Sequence, residues 1–168
     1  MSKRARQYVG LLAAVAAYYL IHEGAHFLYA VSIGVFKTVR FMGLGMQIDV
    51  YTERMTQTQL GFFCLLGSVA ALLAAYVLVA LIGRIGKLSS KVVKACAYYI
   101  TIALLFIDPL YLSALCGFFG GGDMNGISLL LPEILARILY GVLLAVNGIV
   151  FVKIVLPRYK AAFAGESV

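Results

Sequence analysis

Four long apolar runs dominate the pattern of hydrophobic and polar positions along this chain. They cover about residues 8–33, 60–83, 95–118 and 134–156. Each run is close to the roughly 20 residues that a helix needs to cross the hydrocarbon core of a bilayer. The pattern therefore predicts an all-α integral membrane protein with about four transmembrane helices, built as a single membrane-embedded domain over residues 1–168.

The segment 35–58, between the first two runs, has a different period. Its apolar side chains alternate with small or polar ones at Leu44, Met46, Ile48 and Val50. Gly43 and Gly45 separate this alternation from a β-prone stretch at 38–42. Period-two alternation is typical of a strand, and an open sheet edge is unfavourable in lipid. The segment is therefore predicted to be either a small interfacial β-hairpin-like element, packed against the helices, or an ordinary interfacial loop.

Composition supports the membrane prediction. The chain is 63% hydrophobic and only 12% charged, with a mean hydropathy of +0.98. Soluble domains carry about 25% charged residues, so a soluble domain is excluded. The net charge is +7, but the basic residues lie beside the apolar runs, which favours contact with anionic lipid over nucleic-acid binding. Asn147, a lone amide in the fourth run, is expected to form an interhelical hydrogen bond.

The basic residues also predict an orientation. Ten of the fourteen lysines and arginines lie near the two termini or in the connection 84–94: Lys3, Arg4, Arg6, Arg84, Lys87, Lys91, Lys94, Lys153, Arg158 and Lys160. Lysine and arginine are enriched in cytoplasmic connections. Both termini are therefore predicted to be cytoplasmic in a multi-pass protein of the cell membrane. The first and third spans then run in the same direction, and their C-terminal ends share the outer face.

The sequence His22-Glu23-Gly24-Ala25-His26, within the first run, has the pattern H-E-x-x-H. On a helix, residues i and i+4 lie about 40° apart, so both imidazoles can reach one metal ion. Glu23 lies beside them, where it can take a proton from water on that metal. Two histidines and an acid are costly in a lipid-buried helix, which favours a functional role.

A catalytic zinc usually has three protein ligands and one open position, so a third donor is expected elsewhere. The acidic candidates are Asp49, Glu53, Asp108, Asp123, Glu133 and Glu166. Asp123 follows the third span on the side where the histidines lie, within the glycine-rich stretch 120–126. Asp108 lies near the middle of that span, before Pro109, where it either supports a ligand or accompanies a kink. We predict Asp123 as the ligand ahead of Asp108.

Together with the later Asp-x-x-Gly that begins at Asp123, the motif resembles the site-2 protease class of intramembrane zinc metalloproteases. The resemblance implies one zinc ion bound by His22, His26 and Asp123, with Glu23 as the catalytic residue that activates the attacking water. The segment 66–71, Leu-Gly-Ser-Val-Ala-Ala, is similar to the family's small-residue motif on the second core span. The hairpin-like segment stands where family members carry a β element that pairs with an unwound substrate.

The function implied by this resemblance is hydrolysis of peptide bonds in transmembrane or membrane-adjacent segments. A helix hides its carbonyls in hydrogen bonds, so such a substrate must expose its scissile bond. Three alternatives use the same residues: a metal-ion or proton transporter, an inactive binding protein of this fold, and a bundle in which the histidines serve only packing. The expected partners are the lipid bilayer and a membrane protein or peptide substrate, without nucleic acid, in an oligomeric state that the sequence leaves open.

Overall fold

Four helices long and apolar enough to cross a membrane make up most of the computed structural model, which describes residues 1–42 and 45–165. They are α1 (Lys3–Ser32), α2 (Gln57–Gly86), a third helix from Lys91 to Phe118 and a fourth from Glu133 to Ala164. A small two-stranded antiparallel sheet lies between α1 and α2. This architecture is consistent with a multi-pass membrane protein, and it confirms the four predicted helices.

The third and fourth long helices are both interrupted by a wider π-helical turn. The third consists of α3 (Lys91–Leu110), a π turn (Tyr111–Leu115) and a 3₁₀ turn (Cys116–Phe118). A separate short helix, α4 (Asp123–Ile127), follows. The fourth consists of α5 (Glu133–Val150), a π turn (Phe151–Val155) and α6 (Leu156–Ala164). Each π turn lies close to a proline, Pro109 or Pro157, which has no N–H to donate to the helical hydrogen-bond ladder.

Pro109 leaves one carbonyl of α3 without its helical donor, and Asn147 replaces that donor. In a regular helix the N–H of residue 109 would bond to the carbonyl of Leu105. Here Asn147 Nδ2 donates to Leu105 O at 2.6 Å, and Asn147 Oδ1 accepts from the Tyr76 hydroxyl at 2.7 Å. Asn147 is fully buried. One amide thus joins α2, α3 and α5, which is the interhelical role expected of it.

Side-chain caps explain why two helices begin earlier than their apolar runs. Thr56 Oγ1 accepts from the Gln59 N–H, while the Gln59 side chain accepts from the Thr56 N–H, so α2 begins at a complete capping box. Ser90 Oγ accepts from the Val93 N–H at the start of α3. Both caps satisfy backbone donors that have no partner within the helix.

The fourth helix extends beyond its predicted end near residue 156 and continues to Ala164. Pro157 does not stop it, because Pro157 lies in the first turn of α6, where a missing N–H is tolerated. Tyr159 and Ala162 of α6 are buried against the bundle. The C-terminal segment is therefore helical and packed against the bundle as far as Ala164.

The strand alternation corresponds to a hairpin rather than a loop. It is formed by β1 (Phe36–Met42) and β2 (Gly45–Val50), with Val39 opposite Ile48 and an irregularity between Phe36 and Thr38. A 3₁₀ turn (Thr52–Arg54) then leads to α2. Ile48 is buried, and β2 packs on α1. Gly43 and Leu44, which contributed to the predicted pattern, lie outside the described residues.

Small residues recur every four positions along α2, at Gly67, Ala71 and Ala75, a spacing that predicts close helix packing. Ala71 and Ala75 are fully buried in a cluster with Leu104 and Leu105 of α3. Small side chains let helix axes approach closely, which strengthens van der Waals contact where lipid supplies no hydrophobic driving force. Gly67, the third residue of this spacing, has a different neighbour, described below.

We expect the substitution Asn147→Leu to lower the free energy of unfolding by about 1 kcal/mol or more. Leucine cannot donate to the Leu105 carbonyl, and the Tyr76 hydroxyl loses its acceptor. The measurement is thermal or denaturant unfolding of the purified protein in detergent. The matched control is Val146→Leu, at the exposed position immediately before Asn147 on α5. Equal stability of the two variants would contradict the proposed bridging role.

Candidate metal centre

His22 and His26 lie on the buried face of α1, one helical turn apart. They are only 6% and 3% exposed, and their Nε2 atoms are 3.1 Å from each other. The i, i+4 spacing places both rings over the same neighbours, as the motif predicts. The two imidazoles therefore present one ring nitrogen each to a shared point.

Hydrogen bonds at the opposite ring nitrogens fix which way the imidazoles face. His26 Nδ1 donates to the carbonyl of Phe63 at 2.7 Å, and His22 Nδ1 donates to Asp108 Oδ2 at 3.2 Å. A carbonyl only accepts, so Nδ1 of His26 must carry a proton in this bond. In a neutral ring the other nitrogen, Nε2, then holds a free lone pair, which is the form that binds a metal.

Asp123 reaches the histidines because three consecutive glycines reverse the chain before it. Gly120, Gly121 and Gly122 have φ of 79°, 84° and 48°, a region that only glycine enters at low cost. Asn125 Nδ2 donates to Gly120 O at 3.1 Å and closes this loop. Asp123 then begins α4 and turns its carboxylate toward α1.

Three acceptor atoms converge as a result. Asp123 Oδ2 lies 3.1 Å from His22 Nε2 and 3.6 Å from His26 Nε2, and the two nitrogens are 3.1 Å apart. Donors bound tetrahedrally to zinc at its usual bond lengths lie about 3.3–3.5 Å from one another. The triangle formed by His22, His26 and Asp123 has nearly this size, so the donor set fits a tetrahedral metal ion.

The charge state of Asp123 suits a cation. Burial by itself would raise the pKa of the Asp123 carboxyl, but hydrogen bonds and charge interactions with His22 and His26 outweigh burial and lower the pKa to about 2. The carboxyl is therefore ionised at neutral pH. An ionised carboxylate is buried at low cost only with a hydrogen-bonded or cationic partner.

Glu23 lies beside the two histidines rather than between them. The side chains of His22, Glu23 and His26 form a group that could hold a metal, with ligand atoms within 4.8 Å of one another. Glu23 Oε2 accepts from the backbone N–H of Ile48 at 3.1 Å. Strand β2 therefore holds the Glu23 carboxylate next to the space between the two histidine Nε2 atoms and the Asp123 carboxylate.

Asp108 occupies the supporting position that was one of its two predicted roles. It is 2% exposed, and its second oxygen, Oδ1, accepts from the Tyr18 hydroxyl at 2.5 Å. Because Oδ2 already holds His22 Nδ1, the Asp108 carboxylate orients the imidazole instead of joining the three converging atoms. Such a carboxylate behind a histidine raises the basicity of the nitrogen on the opposite side of the ring.

The other acidic candidates lie elsewhere. Asp49 pairs with Arg40 on the hairpin, and Glu133 pairs with Arg137 on α5 at 3.1 Å. Glu53 is exposed in the 3₁₀ turn. Glu166 lies outside the described residues. Of the candidates that the structure describes, Asp123 alone has a carboxylate oxygen against both Nε2 atoms.

Gly67 is a part of this site that its sequence pattern did not reveal. A Cβ atom at this position would lie 2.5 Å from His26 Nε2 and 2.6 Å from His22 Nε2. Any larger residue on α2 would therefore occupy the space where the three acceptors meet. The four-residue spacing of small residues on α2 predicts only close helix packing. The need for a glycine beside the two histidine rings becomes visible only from the way α2 is rotated against α1.

A cavity of about 300 Å³ opens beside the three acceptors. One wall is strand β2, and others include Tyr18, Tyr111 and Gly122. The Ile48 N–H points away from β1, toward Glu23, so this edge of β2 faces the cavity. The site therefore combines a metal-sized donor set, an adjacent carboxylate and a strand edge.

Comparisons of this chain with protein families, with curated proteins and with solved structures give no match.

We expect Gly67→Ala to reduce metal binding strongly, because its methyl group would displace both histidine rings from their present positions. The matched control is Gly24→Ala, which adds the same methyl group within the H-E-x-x-H motif, where nothing lies within 4 Å. Metal content of the purified variants, measured by inductively coupled plasma mass spectrometry, is the readout. Equal metal content in the two variants would contradict this placement of Gly67.

Proposed function

We propose that this protein is a membrane-embedded zinc metalloprotease with one zinc ion per chain, held by His22, His26 and Asp123. The observation that carries the proposal is the convergence of two histidine nitrogens and a carboxylate oxygen, which lie 3.1–3.6 Å from one another. Two histidine nitrogens and one carboxylate oxygen are a typical set of protein ligands for catalytic zinc, and they would leave one position for water. The resemblance of the H-E-x-x-H motif to the site-2 protease class supports the same assignment.

Glu23 is the catalytic acid and base in this proposal. Zinc held by these residues would supply Lewis-acid polarisation of the peptide carbonyl and would acidify the attacking water. Glu23 accepts the proton of that water and then delivers it to the amine of the departing peptide. The support for this role is its place within 4.8 Å of the histidine ligand atoms and its hydrogen bond to the Ile48 N–H, which fixes the carboxylate.

The edge of β2 that faces away from β1 is the proposed binding position for the substrate, beside the Ile48 N–H that holds Glu23. Residues two apart along a strand direct their backbone groups to the same edge, so Met46 presents its N–H and C=O on the side of Ile48. Met46 also lines the cavity. A substrate segment that has lost its helical hydrogen bonds adds to this edge as a third strand and lies across the site. Transmembrane or membrane-adjacent segments with helix-breaking residues are therefore the proposed substrates.

The proposed orientation places both termini in the cytoplasm, because most basic residues lie at that end of the bundle. His22 and His26 are in the second half of α1, and Asp123 lies between the third and fourth long helices. The site then lies in the outer half of the membrane.

A metal-ion or proton transporter is the second candidate, and one observation favours it. Tyr18, Asp108, His22 and Asp123 form a continuous hydrogen-bonded series that a proton could follow. Toward the termini, however, the series meets the fully buried apolar residues Leu104 and Leu105. This interruption favours the protease over the transporter.

The substitution Glu23→Gln separates the two functions. In a protease the three zinc ligands are untouched, so zinc content should stay at the wild-type level, while cleavage falls by about 10²-fold or more. Purified protein is reconstituted in vesicles with a labelled transmembrane peptide that contains glycine and proline, and zinc is measured on the same samples. Glu53→Gln, at an exposed acid, is the control. Cleavage by Glu23→Gln at the wild-type rate would contradict the protease proposal, and zinc or proton flux that depends on Glu23 would favour the transporter.

A further inference from the structure

A second cavity, of about 460 Å³, lies at the other end of the bundle. Its walls come from three parts of the chain that are distant in sequence: the first turns of α1, the first turns of α3, and α6. Arg6 lines this cavity and His22 lines the other, and the α1 segment between them is about 24 Å long. The two cavities are therefore separate sites, and the proposed proteolysis makes no use of the second one.

The rim of this second cavity is strongly basic. Each of the three wall segments contributes at least one cation: Lys3 and Arg6 from α1, Lys91 from α3 and Lys160 from α6. None of its lining residues is acidic. Within residues 1–42 and 45–165, the acidic side chains found in ion pairs contact Arg40, Arg137 or the two histidines instead. Four positive charges thus surround one opening without a described acidic partner.

The inside of the cavity is aromatic and apolar. Tyr98 and Tyr99 of α3 and Tyr159 and Phe163 of α6 line it below the basic rim. A purely aqueous anion would gain little from such walls. A molecule with an anionic head and an apolar body would satisfy both parts, in the same way that lysine and arginine stems cover apolar surface while their charges stay in water.

Contacts between α3 and α6 hold the cavity in shape. Lys94, which is buried, donates from Nζ to the carbonyl of Ala162 at 2.8 Å. This contact places a cation near the C-terminal end of α6, where the helix dipole favours it. The rings of Tyr98 and Tyr159 also meet edge to face, with centroids 5.1 Å apart. These two contacts fix α3 and α6 relative to each other on two sides of the cavity.

We propose that this cavity binds the headgroup of an anionic phospholipid, with its phosphate at the basic rim and its glycerol and upper acyl carbons against the aromatic wall. The starts of α1 and α3 and the end of the fourth helix lie together at one end of the bundle. These are ends of three of the four candidate membrane spans, where lipid phosphates would meet the protein. The proposal requires the chain to lie in a membrane, but it is independent of the zinc site and of catalysis.

The test is lipid binding to the full chain in neutral detergent, followed by native mass spectrometry. Phosphatidylglycerol is titrated beside phosphatidylcholine with the same acyl chains. The double variant Arg6→Gln, Lys160→Gln removes two rim charges. The control Arg84→Gln, Lys87→Gln removes two exposed charges at the end of α2 that do not line the cavity. We expect preferential binding of phosphatidylglycerol to the wild type and to the control, weakened about tenfold in the rim variant.

Three results would overturn the proposal. Equal binding of phosphatidylglycerol and phosphatidylcholine would remove the anionic specificity. Equal loss in the rim and control variants would assign the effect to overall charge rather than to the cavity. Inorganic phosphate that binds the wild type, depends on the same rim residues and displaces the lipid would identify a site for soluble anions instead. Thermal unfolding of both double variants in detergent serves as the folding check, so the test does not depend on the zinc site.

Discussion

His22 Nε2, His26 Nε2 and Asp123 Oδ2 meet in one small, largely buried space. Atoms that lie this close and have given up their water need a positive charge among them, either an imidazole proton or a metal ion. A divalent cation would bind all three atoms at once. The surrounding contacts hold these three atoms in place. The Phe63 carbonyl and Asp108 fix the two imidazole rings, and the loop of three glycines returns Asp123 to α1.

The bundle provides this arrangement through helices that are themselves imperfect. Pro109 disturbs α3 one residue after Asp108, and the carbonyl it leaves at Leu105 is satisfied by Asn147 of α5. Deviations from regular helix are tolerated in a membrane only when neighbouring groups restore the lost hydrogen bonds. The same contact that repairs α3 also holds it against α5, close to the carboxylate that orients His22. The two ends of the bundle differ accordingly: one gathers histidine and carboxylate ligands, and the other gathers lysine and arginine around an aromatic cavity.

Much of this was accessible from the sequence because it depends on local periodicity. Helical spacing placed His22 and His26 on one face, alternation indicated the strand with Ile48, and the number of crossings brought Asp123 to the same end of the bundle. Features that depend on the rotation of one helix against another were not accessible. The approach of Gly67 to both rings depends on such a rotation, and so does the choice of Asp108 as the partner of His22. The continuation of the fourth helix past Pro157 was missed because proline is harmless only at the first turn, and the sequence did not reveal that a new turn begins there.

The most direct test of this account is the zinc content of purified protein after equilibration with limiting zinc and removal of the unbound metal. The account predicts about one zinc per wild-type chain and a large loss in Asp123→Ala, because two histidines alone leave the tetrahedral site incomplete. Asp49→Ala, at a carboxylate that pairs with Arg40 on the hairpin, should keep wild-type zinc. Stoichiometric zinc in Asp123→Ala, or no zinc in the folded wild type, would contradict the claim that these three atoms form a metal site.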